Sequence, residues 1–262
     1  MSDRVLTRPL YESGSSELLC LDLGNSRLKA LLFGGAGPKR WAMLPAAASE
    51  EDWERELGPL ADAGAAVALS SVNPSRGAAL KAWLDVRRLY SWELRGDSPV
   101  PFPVAVRGRE TLGADRLCNA AAAWAEGLAP ALIADAGSAL TLDVIDAAGC
   151  YLGGLILPGS NLMLAALARG TGQLPHIEAE WPEKIIGEDT RGALAAGASW
   201  GLLSALEGLV RRLRRRFGED CSLVMTGGWG DALADRWEEG SCRLEPDWTL
   251  MGLKALFDAA QS

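Results

Sequence analysis

The chain has 262 residues, 48% hydrophobic and 23% charged, an ordinary globular mix long enough for about two domains. Its net charge of −8 and pI of about 4.9 argue against nucleic acid as a default partner, since a phosphate backbone selects a basic surface. No stretch reads as the roughly 18 apolar residues of a membrane span, and the N-terminus lacks the basic-then-apolar order of a secretory signal. The single histidine, His176, rules out paired-histidine metal motifs and leaves acid–base chemistry to carboxylates. The five cysteines show no C-x-x-C spacing, and three of them lie in apolar stretches and read as buried thiols in a reducing compartment, the cytoplasm.

In chain order, residues 1–16 read as a polar extension. An apolar run then reaches Asp22-Leu23-Gly24-Asn25-Ser26, and a second runs from Leu28 to Phe33, which predicts strand, tight turn, strand. Gly34-Gly35-Ala36-Gly37-Pro38-Lys39 reads as a flexible turn. A helix is expected over 50–60, a buried strand over 65–72 and a helix over 76–86. Pro99, Pro101 and Pro103 interrupt the chain before a helix at 117–126, whose N-terminal turn carries Asp115. The pattern then restarts. An apolar run at 131–134 enters Asp135-Ala136-Gly137-Ser138-Ala139, followed by strands at 140–145 and 151–157 and a helix at 161–168. A loop rich in glycine and proline covers 170–182, and helices are expected at 190–198 and 200–217. A short strand at 222–225 ends in Thr226-Gly227-Gly228, and a last helix covers about 250–260. Both halves open with a strand, Asp-x-Gly-polar and a second strand, which suggests a duplicated α/β domain with its boundary near Gly113, giving domains at 17–113 and 114–262.

In Asp22-Leu23-Gly24-Asn25-Ser26-Arg27-Leu28-Lys29, Gly24 can adopt φ > 0 and turn backbone N–H groups toward an anion. Asn25 and Ser26 add donors, Lys29 adds a point charge, and Asp22 can hold Mg²⁺ directly or through water. A plain hairpin turn uses the same residue types. Two such turns, each opening a domain, suit opposing walls of a cleft that grips a triphosphate. No G-x-x-x-x-G-K-S/T loop is present. Asp115 has two readings, an aspartate favoured by the helix dipole or a general base with Arg116 steering an anionic substrate. Thr226-Gly227-Gly228 reads equally as a nucleotide-side turn or a simple strand-to-helix turn. The run from Arg211 to Arg216 reads as the solvated end of a helix, and the ten tryptophans as packing residues.

Together these residues resemble the type III pantothenate kinases of the actin and sugar-kinase ATPase superfamily. Asp22 to Lys29 match D-x-G-N-T/S-x-x-K, and Gly113-Ala114-Asp115-Arg116 match G-x-D-R. Asp135 to Asp143 match D-x-G-T/S-A-x-T-x-D, and Gly149 to Gly159 match G-x-x-x-G-G-x-I/L-x-P-G. The resemblance implies two ribonuclease-H-like domains with mixed central sheets and a nucleotide cleft between them. It implies transfer of the ATP γ-phosphate to the primary hydroxyl of pantothenate, the first step of coenzyme A synthesis. The alternative is a non-catalytic regulatory or binding protein of the same fold, or a kinase for another small hydroxylated substrate. By motif, Asp115 corresponds to the base, and Asp22, Leu23, Gly24, Asn25, Ser26, Arg27, Leu28, Lys29 and Ser138 to the ATP site. Asp22 corresponds to the Mg²⁺ side, and Asp135 to the ligand of a monovalent cation, K⁺ or NH₄⁺. Gly113, Ala114, Asp115 and Arg116 flank pantothenate, and Thr190 matches a threonine that reaches it from the partner subunit, which implies a homodimer with the site near the subunit interface. The segment from Val104 to Glu110 lacks the tyrosine that the family places at the pantothenate pocket, and Asp189 replaces an asparagine.

Overall fold

In the computed structural model of the protein, which describes residues 17–34, 37–61 and 66–261, the two apolar runs around Asp22 are strands β1 (Glu17–Leu23) and β2 (Arg27–Gly34), paired antiparallel. The expected extension at 1–16 lies outside the described residues, as do Gly35 and Ala36 of the expected flexible turn. The rest of that turn is not irregular, because Gly37 opens strand β3 (Gly37–Pro45), antiparallel to β2. Pro38 is tolerated because β3 is an edge strand and the register shifts at Leu32/Phe33. Strand β4 (Ala66–Ser71) runs parallel to β1 and β5 (Ser91–Leu94) parallel to β4, giving the order β3-β2-β1-β4-β5.

Alternation gives this sheet two distinct faces. Leu19, Leu21, Leu23, Leu28, Ala30, Leu32, Val67 and Leu69 share a core with α1 (Glu50–Glu56), α2 (Gly58–Ala61) and α3 (Pro74–Val86) through Trp53, Leu60, Leu80 and Leu84. Cys20, Asp22, Lys29 and Ser70 fall on the opposite face. The helices α4 (Ala114–Ala125) and α8 (Trp248–Gln261) belong to that side. Gly252 of α8 lies so close to α4 that a Cβ there would stand 1.8 Å from the Cys118 carbonyl oxygen. Thr249 Oγ1 donates to Asn119 Oδ1 at 2.9 Å, and Phe257 meets Trp92 edge-on with ring centroids 5.9 Å apart.

The second sheet repeats the first. Strands β6 (Ala131–Ala136), β7 (Ala139–Ile145) and β8 (Tyr151–Pro158) form an antiparallel meander. Strands β9 (Ser222–Thr226) and β10 (Arg243–Leu244) continue it in parallel, so the order is β8-β7-β6-β9-β10. Leu132, Ala134, Leu140, Leu142, Leu223 and Met225 pack on Leu202, Leu203, Leu206 and Val210 of α6 (Thr190–Phe217). Leu164 of α5 (Ser160–Gly170) forms a satellite core with Ile177 and Leu194.

Contacts divide the chain into two units. One takes the residues up to Pro101 with Gly108–Ala122 and the chain from Thr249 onward, the other Phe102–Arg107 with Ala123–Trp248. This differs from a single boundary at Gly113, because most of α4 and α8 from Thr249 onward group with the first sheet. Helix α6 is one continuous helix of 28 residues rather than two. By length and composition it is apolar enough to cross a membrane, with a mean hydropathy of 1.4 over its best window, contrary to the sequence expectation. Half of that window is buried inside the molecule, as in a core helix. Arg214 also departs from a solvated helix end. It is buried and donates to the carbonyls of Cys221, Glu239 and Ser241, so it closes a loop.

Candidate active site

Asp22 is the penultimate residue of β1, with Lys29 directly opposite on β2 and Ser70 in register on β4. Opposite charges thus stand side by side at the carboxyl end of a parallel strand pair, where α/β sheets bind ligands. The turn closes through the Gly24 N–H, which donates to the Arg27 carbonyl at 2.9 Å. Gly24 does not use φ > 0, and neither does Gly137 of the second turn. At Gly24 the constraint is space, since a Cβ would stand 3.3 Å from the Arg27 oxygen. Asn25, Ser26 and Arg27 are exposed at the turn tip, while Leu23 and Leu28 are buried below it.

Asp115 occupies the first turn of α4, and its Oδ1 accepts the Arg116 N–H at 2.8 Å. Gly113 makes room for it, because a Cβ there would stand 2.4 Å from that same oxygen. Ala114 is buried and Arg116 half-buried. The tertiary structure brings Asp115 and Asp22 within electrostatic reach of the same buried side chain. Cys118, one helical turn after Asp115, is fully buried, and burial pushes its thiol well above the ordinary value. The negative charges of Asp22 and Asp115 raise it further, and the Ser70 hydroxyl partly offsets them. Both carboxylates therefore act on one buried thiol that the sequence reading assigned no role. Its only sequence signal is the spacing from Asp115, which puts both on one helix face.

The second turn has the same frame with different chemistry. Asp135 lies opposite Thr141 on β7 and beside Thr226 on β9. The Gly137 N–H donates to the Ala139 carbonyl at 2.9 Å, leaving Ser138 exposed. The left-handed backbone occurs at Gly227, with φ +88°, where a Cβ would stand 2.5 Å from Asp135 Oδ1. The following Trp229 N–H donates to the Ala136 carbonyl at 2.9 Å and leads into α7 (Gly230–Ala234). The long glycine motif supports this turn. Gly149 and Gly153 have φ of +75° and +93°, and a Cβ on Gly154 would stand 2.0 Å from the Leu142 oxygen. A Cβ on Gly159 would stand 2.6 Å from the Gly137 oxygen and 2.7 Å from that of Ser138. The same sheet carries a buried pair missed in the sequence, Tyr151 donating its hydroxyl to Asp143 Oδ1 at 2.7 Å.

Thr190 is exposed at the first position of α6. Asp189 caps that helix by accepting the Gly192 N–H at 2.7 Å, and Arg191 pairs with Glu180 at 3.7 Å. His176 is exposed in its loop. Among the described residues no group of three or more His, Cys, Asp or Glu side chains could cage a metal ion.

The profile of the type III pantothenate kinase family matches residues 18–212, a span that takes in Asp22, Asp115, Asp135 and Thr190. The chain belongs to this family. It is 33% identical to a type III pantothenate kinase from Thermomicrobium roseum over 92% of this chain and 96% of that one. It is 35% identical to the enzyme of that name from Sphingopyxis alaskensis, over 93% and 98% of the two chains. Among solved structures, a Campylobacter jejuni protein named for the Baf family covers 92% of this chain and 98% of its own, with a TM-score of 0.58 and 20% identity. Component A of (R)-2-hydroxyglutaryl-CoA dehydratase from Acidaminococcus fermentans covers 94% and 99%, with a TM-score of 0.52 and 12% identity. At those identities the likeness concerns fold alone. The two five-stranded sheets of equal order have the fold of the actin and sugar-kinase ATPases and are consistent with two ribonuclease-H-like domains.

Proposed function

We infer that the protein transfers the γ-phosphate of ATP to the primary hydroxyl of pantothenate, giving 4′-phosphopantothenate, the first step of coenzyme A synthesis. The observation that carries this reading is the convergence of Asp22, Lys29 and Asp115 in one unit of a chain that belongs to this family. Asp115 takes the proton of the pantothenate hydroxyl as that oxygen attacks the γ-phosphorus. The bond from the γ-phosphorus to the bridging oxygen breaks, and ADP leaves with the electron pair. Lys29 faces the charge on the transferring phosphoryl group, the Asp22–Lys29 turn binds ATP, and Ser138 is an ATP contact by its own motif. Gly113, Ala114 and Arg116 line the pantothenate side with Asp115.

Two cations accompany this reading. Mg²⁺ is held through one or two carboxylates and the substrate phosphates, so it needs no protein cage, in keeping with the donors near Asp22. When bound, it neutralises phosphate charge. K⁺ or NH₄⁺ fits at Asp135, where the Thr141 hydroxyl across the strand pair is buried and accepts or donates no hydrogen bond among the described residues. A homodimer is supported by α6, where the space above Gly197, Gly201 and Gly208 is open. A groove of about 460 Å³ there is lined by Ile185, Ile186, Ala193, Gly197, Trp200 and Gly201. In such a dimer Thr190 reaches the partner's pantothenate. A cytoplasmic location follows from the reaction, which uses ATP.

The test is an ADP-release assay with product detection across pantothenate, sugars and small hydroxy acids, in ATP, Mg²⁺ and K⁺. Phosphopantothenate is the expected product. Bound ATP with no product from pantothenate would sink the reading, and light scattering that finds only monomers would sink the dimer.

A further inference from the structure

We propose that Ser70 is a positioning residue for the Asp22 carboxylate. This rests on the reading of Asp22 as part of the phosphate side of the site. Ser70 and Asp22 are register partners on parallel strands, so their side chains stand on the same face of the sheet, with strands about 4.8 Å apart. Ser70 is completely buried, and its Oγ makes no hydrogen bond at normal geometry among the described residues. A buried hydroxyl left in that condition is costly and calls for a reason, because alanine would fill the position without the cost. The Cys118 thiol, which is close to the Ser70 hydroxyl, is a weak partner. The carboxylate in the neighbouring strand position is a strong one.

The duplicated fold makes the position more telling. In the second sheet the same slot beside Asp135 holds Thr226, again a fully buried hydroxyl. There the hydroxyl is directed to the Pro246 carbonyl at 3.4 Å, and Gly227 packs its backbone against Asp135 Oδ1. The first sheet has no glycine in the matching place. Ser71 follows instead, and its Oγ donates to the Asn73 carbonyl at 3.1 Å and accepts the Asn73 N–H at 3.2 Å. Asp135 is thus braced by backbone, whereas the group available to orient Asp22 from β4 is the Ser70 hydroxyl. Turned toward β1, the Ser70 hydroxyl can donate to the Asp22 carboxylate and hold it in the rotamer that meets the nucleotide phosphates.

The experiment measures Mg·ATP binding by calorimetry, without turnover, together with thermal stability, for Ser70→Ala, Asp22→Asn and the double variant. Ser70→Ala is expected to weaken Mg·ATP binding about 10- to 100-fold, the effect of losing one hydrogen bond to a charged group. The double variant is expected to bind no worse than Asp22→Asn alone, since Ser70 acts through Asp22. Ser70→Thr and Ser70→Val have the same shape and differ in the hydroxyl, so they decide the matter if Ser70→Ala does not fold. Thr is expected to retain binding and Val to lose it. Equal binding by Thr and Val, or additive losses in the double variant, would overturn the role of Ser70. Unchanged binding in Asp22→Asn would instead overturn the reading of Asp22 on which the proposal rests.

Discussion

The turns at Asp22 and Asp135 end equivalent strands of two sheets with the same order, yet the charges around them differ. Asp22 lies opposite a lysine and near a second carboxylate, Asp115, in its own unit. Asp135 lies opposite a neutral threonine, and its carboxylate is packed against the backbone of Gly227. Duplication supplied the frame, and the residue facing each aspartate sets what that frame can do. A carboxylate with a lysine and a base suits phosphoryl transfer. A carboxylate with hydroxyl and carbonyl oxygens suits a weakly held cation.

The largest expected effect falls on the first turn's neighbour. Asp115→Asn is expected to lower kcat by about 10²- to 10⁴-fold while ATP binding, measured by calorimetry, is retained. An intact rate would remove Asp115 from the role of base. Next comes the pair opposite the two aspartates. Lys29→Met is expected to lower kcat/KM for ATP by about 10²- to 10³-fold. Thr141→Val should instead move the K⁺ concentration for half-maximal rate by a few fold, about the effect of one neutral hydrogen-bonding group. Equal losses from both would erase the proposed division of labour.

Smaller effects separate the glycines. Gly227→Ala meets both a left-handed backbone and the Asp135 carboxylate, and is expected to cost about 1–3 kcal/mol by denaturant unfolding. Gly137→Ala has no atom nearer than 3.7 Å and no positive φ, so a change within about 0.5 kcal/mol is expected. Effects at helix caps fall between these two. In the first unit Ser49 Oγ accepts the Asp52 N–H at 3.2 Å, and the Asp52 carboxylate accepts the Ser49 N–H at 3.0 Å. Ser49→Ala is expected to cost about 0.5–2 kcal/mol in thermal unfolding, with Asp189→Ala similar in the second unit. The Ser49 backbone bond, and after it Arg55, hold the Asp52 carboxyl at about 2 against an ordinary 3.8. Because the folded value is the lower one, its contribution is complete above the ordinary value and is lost as pH falls toward 2. A cap effect that persisted unchanged at pH 2 would contradict this.

Much of the frame was legible in the sequence. Alternating apolar runs located β1, β2, β4, β6, β7, β8 and β9, and the motif order marked both turns. The strands that escaped notice are three of the four edge strands: β3 opens on Gly37-Pro38, β5 has four residues and β10 two. Edge strands bury little, so they carry weak hydrophobic patterns. The glycines were legible as special but not as to why. A glycine at Gly24 and one at Gly227 look alike in sequence, because close approach and a positive φ both exclude a side chain.

The sequence by itself determined the duplication, the strand that ends in each aspartate and the lysine that follows Asp22. These are local facts of pattern and spacing. Only the tertiary structure set Asp115 near Asp22, buried Cys118 beside both and placed Ser70 in register with Asp22. Those relations come from a parallel crossover and from helix α4 packing on one face of the first sheet. Residues far apart along the chain meet there because burying the apolar sides of sheet and helix outweighs the entropy of closing the loops between them.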